Sequence, residues 1–238
     1  MWGNYYVGEG YMYFAFIIIA IITLFAQFNV KGTFEKYSEM LNSRGYTGAD
    51  VARMLLEQSG VTDVSVEPIN GSLTDHYDPS KKVIRLSESV YSSSSVAALG
   101  VAAHETGHAI QHNEGYIPLK IRSSIFPAVN IGSKLAIPMV FLGMLIGYIA
   151  DAYFLAYAGV ILFTFVVAFQ LITLPVEFDA SYRAMNMLIQ YNFVEDNEAK
   201  AARKVLTAAA LTYVAAAAAS IINLIRLLAM LNGGRRRR

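Results

Sequence analysis

Five consecutive residues carry the most legible chemistry in this chain: HETGH, His104 to His108, within VAAHETGHAIQH. Two histidines four apart fall on one face of a helix, about one turn from each other, so both imidazoles can reach a single metal ion. Glu105 stands one position on, where its carboxylate can hold a metal-bound water and take its proton. The flanking residues favour that helix: Val96 to Leu99 and Val101 to Ala103 precede the motif, and Ala109 and Ile110 follow it without a proline. A charged, solvated helix face is the bland alternative. It fits poorly, because two histidines and a glutamate in an apolar, alanine-rich helix are costly to bury unless they are bound to something.

The rest of the chain must position these groups, and its composition is that of a membrane protein. Of the 238 residues, 55% are hydrophobic and only 16% charged, and the mean hydropathy is +0.41. Soluble domains carry more charge. With no cysteine, disulfides and thiolate ligands are excluded, so any metal must sit on histidine and carboxylate. A net charge of +1 points to no partner by itself, and nucleic acid is not expected as one.

Four segments are long and apolar enough to cross a bilayer, which takes about 20 helical residues. Tyr11 to Phe28 lies in an uncharged run between Glu9 and Lys31; without basic residues before it or a small-residue cleavage site after it, it reads as an anchor. Ser123 to Ala150 is broken by Lys134, Pro127 and Pro138, with a short turn at Asp151. Ala152 to Val176 has no charge and is expected to end near Pro175. Val205 to Ile225, rich in alanine, is the weakest span and suits packing among other helices.

The sizeable polar region is Val30 to Arg122. Thr47 to Ser59 predicts an amphipathic helix capped by Thr47, with Val51, Met54 and Leu55 on one face and Gly60 at its end. Val61 to Ile69 and Lys82 to Leu86 alternate like strands on either side of the turn-rich NGSLTDHYDPS. Ser92 to Ser95 reads as a loop leading into the motif helix. The fold class expected is therefore mainly α and integral to the membrane. It comprises about four transmembrane helices with a small α+β zincin-like region inserted between the first and second spans. In segments this is an anchor at 1–30, an α+β region at 31–122 and helices bearing a third ligand at 123–238, forming one integrated catalytic domain.

A catalytic zinc takes three protein ligands and keeps one open position. If the spans alternate across the bilayer, the polar region and the loop after the third span share a side. The first acid of that later segment, LPVEFDASYRA, is Glu177, which could be the third ligand or simply cap the lipid end of a helix. Two rivals stand closer. His112 is one turn past His108, about 6 Å too far along a straight helix for the same metal. Glu114 stands where metzincins place a third histidine, but Gln111 occupies the position where those enzymes turn the chain with glycine.

The segments GSLTDHYDP, LSESVY, AAHETGHAIQH, LPVEFDAS and LTAAALTYVAAA, in this order among these spans, resemble the YugP-type family of neutral zinc metallopeptidases of bacterial membranes. The resemblance covers nearly the whole chain, from about residue 1 to 230. It implies zinc, a membrane location and proteolysis. EFDAS is also similar to the corresponding segment of gluzincin peptidases such as HtpX and the CAAX-processing membrane proteases. There a glutamate ligand is followed four residues on by an aspartate that orients a zinc histidine. Here that place is Ser181, whereas the aspartate is Asp179, two on, which makes Asp179 a candidate for the supporting role.

The expected metal set is thus zinc on His104, His108 and Glu177, with Glu105 as general base in amide hydrolysis. A donor to the oxyanion is sought among His76, Tyr77, Tyr182 and Arg183, with His76 of LTDHYDP preferred; Asp75, His76, Asp78 and Pro79 could equally just shape a turn. The expected partners are a protein or peptide substrate, membrane proteins included, and the lipid bilayer. All Lys and Arg except Arg226 and Arg235 to Arg238 lie between Lys31 and Lys134 or between Arg183 and Lys204. The positive-inside tendency then puts the catalytic side of a multi-pass cell-membrane protein in the cytoplasm. A non-catalytic zinc-binding membrane scaffold or assembly factor is the alternative. An intact Glu105 speaks against it, since a purely structural site has no use for a general base.

Overall fold

The computed structural model describes residues 3–150 and 152–235. The turn expected at Asp151 and the last three residues of the terminal arginine run therefore lie outside the described residues. The elements run α1 (Gly3–Ser38), α2 (Gly48–Gln58), β1 (Ser65–Ile69), β2 (His76–Asp78), β3 (Val83–Ser87), α3 (Glu88–Tyr91), α4 (Val96–Asn113), α5 (Ile117–Ala150), α6 (Phe154–Gln190) and α7 (Asp196–Arg235). The chain is mostly helical, with a small mixed sheet. Among the described residues, four helices (Ile17–Ser38 of α1, α5, α6, and Asp196–Asn232 of α7) are long and apolar enough to cross a membrane. Large apolar side chains such as Phe25, Phe141, Phe165 and Ile225 remain exposed along them, as lipid-facing residues would be.

Three prolines expected to break or end spans do neither. Pro127 and Pro138 lie inside α5, and Pro175 lies inside α6, which runs on to Gln190. A proline forfeits one backbone hydrogen bond and crowds the preceding turn, but a helix held along its length by packing can kink and continue. This continuation matters, because it puts Glu177 in the middle of a helix and not at the start of a loop.

The described chain forms two compact units. One draws on Met1–Phe25, Ile121–Leu174 and Tyr213–Arg238, and the other on Ala26–Lys120 and Pro175–Thr212. The core of the first is helix against helix: Ala136, Val140, Ala156, Val160, Leu227 and Leu231.

The second unit contains the sheet and the motif helix. Thr47 caps α2 through a full capping box: its hydroxyl accepts from Asp50 N, and the Asp50 carboxylate accepts from Thr47 N. At the other end Gly60 takes φ +69°, and Val61 N donates back to Leu56 O at 2.9 Å. That closure is a Schellman turn, and it consumes the residues expected to open the first strand, which therefore starts only at Ser65. β1 pairs parallel to β3 and β2 pairs antiparallel to it, in the order β1-β3-β2. β2 falls inside the stretch expected to be only turn. Its three residues are too few for an alternation signal, and its pairing with β3 is what makes them a strand. The central strand buries Val83, Ile84 and Leu86.

α4 packs behind this sheet with Val96 to Leu99, Ala102 and Ala103 all buried. Ser95 caps it, accepting from Ala98 N at 3.2 Å, and Val96 N reaches Met40 O at 2.8 Å. The start of α7 is fastened by a buried carboxylate: Glu198 accepts from Glu195 N and from Ser43 N. Leu188 at the end of α6 and Ala201, Ala202, Val205 and Leu206 of α7 share this core with α4, together with Phe34 of α1, Leu55 of α2, Val90 of α3 and the sheet.

Candidate metal centre

The motif helix brings His104 and His108 against Glu177 of α6, with Glu105 near enough to His108 for its charge to act on it. Their approach depends on a residue without a side chain. A Cβ at Gly107 would lie 2.8 Å from Ala180 O, closer than real Cβ atoms come. Gly107 therefore lets the backbones of α4 and α6 nearly touch, one helical turn from Glu177. Glu177 is almost wholly buried, at 2% exposure, and His108 and Glu105 are buried as well.

The three ligand-bearing groups converge. Glu177 Oε2 lies 3.3 Å from His104 Nε2 and 3.6 Å from His108 Nε2, and one ligand atom from each residue falls within 4.8 Å of the others. Two atoms each about 2.0–2.1 Å from a tetrahedral metal are about 3.3–3.4 Å apart, so these separations suit a shared ion better than direct hydrogen bonds. The imidazoles meet edge to face, with centroids 4.7 Å apart. Two nitrogens and one carboxylate oxygen, with no sulfur, could hold a metal ion and are donors of the kind that catalytic zinc takes. The electrostatics agree. Burial alone would lower the His108 pKa, but the hydrogen bond and charge of Glu177, with the charge of Glu105, raise it above the usual histidine range. The pocket favours positive charge.

Each histidine is held from behind by its other nitrogen. His104 Nδ1 lies 3.1 Å from Ser181 Oγ, and His108 Nδ1 lies 3.0 Å from Gln111 Oε1. Gln111 is fully buried, and its amide nitrogen donates to Val176 O at 2.9 Å and to Asp179 Oδ2 at 2.7 Å. With both amide hydrogens so used, Oε1 must accept, which puts a proton on His108 Nδ1 and turns Nε2 toward Glu177. Ser181 can likewise accept from His104 Nδ1.

The sequence-level candidates separate here. Ser181, not an aspartate, stands behind His104. Asp179 touches neither ligand histidine and acts at one remove: it holds Gln111 and also accepts from Arg183 Nε at 2.6 Å. Glu114 is drawn off to Arg183 Nη1, at 2.7 Å, and takes no part in the cluster. His112 is engaged by the Tyr77 hydroxyl at 2.7 Å. His76, the preferred oxyanion donor, has other partners: Nδ1 meets Thr74 O at 2.8 Å, and Nε2 faces Arg85 Nη1 at 3.5 Å. In a strand, neighbours point to opposite faces. Tyr77 points at His112 of α4, so His76 is on the far side of β2 from the motif helix. Burial pushes the Tyr77 hydroxyl up to about 12, helped by the Asp63 and Asp78 carboxylates, so it stays protonated. Tyr182 is 67% exposed. Asp75 and Asp78 do shape the chain: Asp75 accepts from Ser87 N and Oγ, and Asp78 from Ser80 N, Lys81 N and Arg85.

Gln111 and Gly107 are the residues sequence reasoning missed. Its place three residues after His108, on a face that proves buried, is the signal that the sequence offers for Gln111. Replacing it by leucine should weaken zinc binding about 10–100-fold, because His108 loses its orienting partner. Competition with a chromophoric chelator would measure this alongside the melting temperature; unchanged affinity would show that the amide does not position His108.

No solved structure matches the chain. A Bacillus subtilis (strain 168) protein described as "Putative membrane protease YugP" is 51% identical over 226 residues, covering 94% of this chain and 99% of that protein. The family model described as "Putative neutral zinc metallopeptidase" matches residues 12–232, a stretch that carries both the HETGH helix and Glu177, and the chain belongs to that family.

Proposed function

We propose that the protein is a membrane-embedded zinc metallopeptidase that hydrolyses peptide bonds, with His104, His108 and Glu177 as ligands and Glu105 as general base. The observation that carries this reading is the convergence of two imidazoles on a buried carboxylate, with Glu177 Oε2 3.3 and 3.6 Å from the two Nε2 atoms and the buried H-E-x-x-H glutamate near His108. Bound there, zinc would supply a Lewis acid that polarises the scissile carbonyl and makes a water acidic near neutral pH. Glu105, buried beside the ligands, takes the water proton as attack occurs and hands it to the departing amine. Ser181 and Gln111 keep both Nε2 atoms directed at the ion while this happens.

The substrate on this reading is a protein or peptide, membrane proteins among them, and the catalytic side of a multi-pass cell-membrane protein faces the cytoplasm, following the distribution of lysine and arginine. The test is turnover. Detergent-purified protein should cleave casein or a co-reconstituted membrane protein, lose activity to a zinc chelator and regain it when zinc is returned. Zinc bound without cleavage of any substrate would favour the scaffold reading instead.

A further inference from the structure

The second unit carries a separate site that the metal chemistry leaves unused. A cavity of about 660 Å³ lies between the C-terminal part of α1 and the N-terminal part of α7, with Lys36, Lys200, Arg203 and Lys204 in its lining and no carboxylate among the lining residues. None of these four cations makes an ion pair among the described residues. Two of them share one aromatic ring: Lys36 Nζ is 5.6 Å and Lys204 Nζ 6.0 Å from the Tyr37 ring centre. That ring offers each ammonium its negative face, but it cannot neutralise either. Four uncompensated positive charges on one concave surface call for an anion with several oxygens. Asn29, Thr33 and Thr207, also in the lining, add neutral hydrogen-bonding groups of the kind that bind phosphate oxygens.

We propose that this groove binds the phosphate-bearing headgroup of an anionic phospholipid. The same oxygens could come from free phosphate, but the flanking chain favours the lipid. Both lining helices are long and apolar enough to cross a membrane, and the apolar run of α1 precedes the groove while that of α7 follows it. Phe28, 72% exposed, adjoins the lining residue Asn29, and Leu211, itself a lining residue, is 48% exposed. These side chains give acyl chains an apolar surface beside the charged cavity. Basic pockets between membrane helices recognise acidic headgroups by this combination. The proposal stands apart from the peptidase reading and needs no metal.

Full-length protein in detergent, titrated with dioleoyl phosphatidylglycerol or dioleoyl phosphatidylcholine and followed by native mass spectrometry, tests it. The unaltered protein should hold the glycerol lipid about tenfold tighter than the choline lipid. Lys200→Gln/Arg203→Gln/Lys204→Gln should abolish that preference, whereas Lys200→Arg/Lys204→Arg should keep it. Arg203→Gln alone should already lower it severalfold, so the result does not hang on the folding of the triple variant. Removing three charges elsewhere in this unit, as Arg44→Gln/Lys81→Gln/Lys82→Gln, should leave the preference intact. Equal loss in that control would mean diffuse charge and would overturn the site, as would an undiminished preference in the triple variant. Displacement of the lipid by an equimolar amount of inorganic phosphate would overturn its assignment as a lipid site.

Discussion

Glu177→Ala is expected to strip zinc and abolish hydrolysis together, while Glu114→Ala leaves both in place. Zinc binds small protein sites with about 10–16 kcal/mol spread over three or four ligands, so losing one should weaken affinity by about two to four orders of magnitude. The carboxylate of Glu177 is the natural partner of His104 and His108, at 3.3 and 3.6 Å, and it is too deeply buried for water to replace it without rearrangement. Glu114 caps the C-terminal end of α4, past His108, and already spends its carboxylate on Arg183 Nη1 at 2.7 Å. Metal content by plasma emission spectrometry, measured beside peptide cleavage, separates the two variants. If Glu114→Ala releases zinc while Glu177→Ala retains it, α6 has no part in the centre and the gluzincin-like ligand set is wrong. Glu177→Gln, which keeps the volume, guards against mistaking a packing defect for a lost ligand.

Glu105→Gln should do the opposite and separate binding from chemistry. The amide fills the same space and leaves His104, His108 and Glu177 untouched, so about one zinc per chain should remain. It cannot take a proton, so cleavage should fall by about 10²–10⁴-fold or more. A variant that loses its zinc would make Glu105 a ligand, and one that keeps full activity would place the general base elsewhere. In either case the proposed division of labour within HETGH fails. An inactive variant that still binds metal is also the form on which uncleaved protein substrates would accumulate in native membranes.

Much of this site is local, and local features are readable. The spacing of His104 and His108 is an instruction to a helix, and α4 is that helix, opened by a serine at the end of the expected loop. The same holds for α2, where Thr47 and Asp50 write the capping box three residues apart and Gly60 writes the stop. The four apolar helices follow from length and composition, because a run of side chains that water rejects is visible without knowing its neighbours.

What the sequence could not decide is what crosses between elements. In the sequence, only topology and resemblance single out Glu177 as a candidate ligand. Its place beside the histidines depends on α6 continuing through Pro175 and on backbone contact at Gly107 and Ala180, which no periodicity records. β2 exists because β3 lies next to it, not because three residues prefer to be extended. The supporting partners depend on the same thing: Ser181 and Gln111 are set by which imidazole nitrogen comes within about 3 Å of each, and Asp179 by its reach to Gln111, all fixed by helix rotation once the core has packed. By itself, the sequence determined the residue types able to bind a metal and the helix that pairs two of them. The tertiary structure decided that Glu177 meets the two histidines and which group each ring nitrogen faces, because those depend on distances between segments that hydrophobic burial, not chain proximity, brings together.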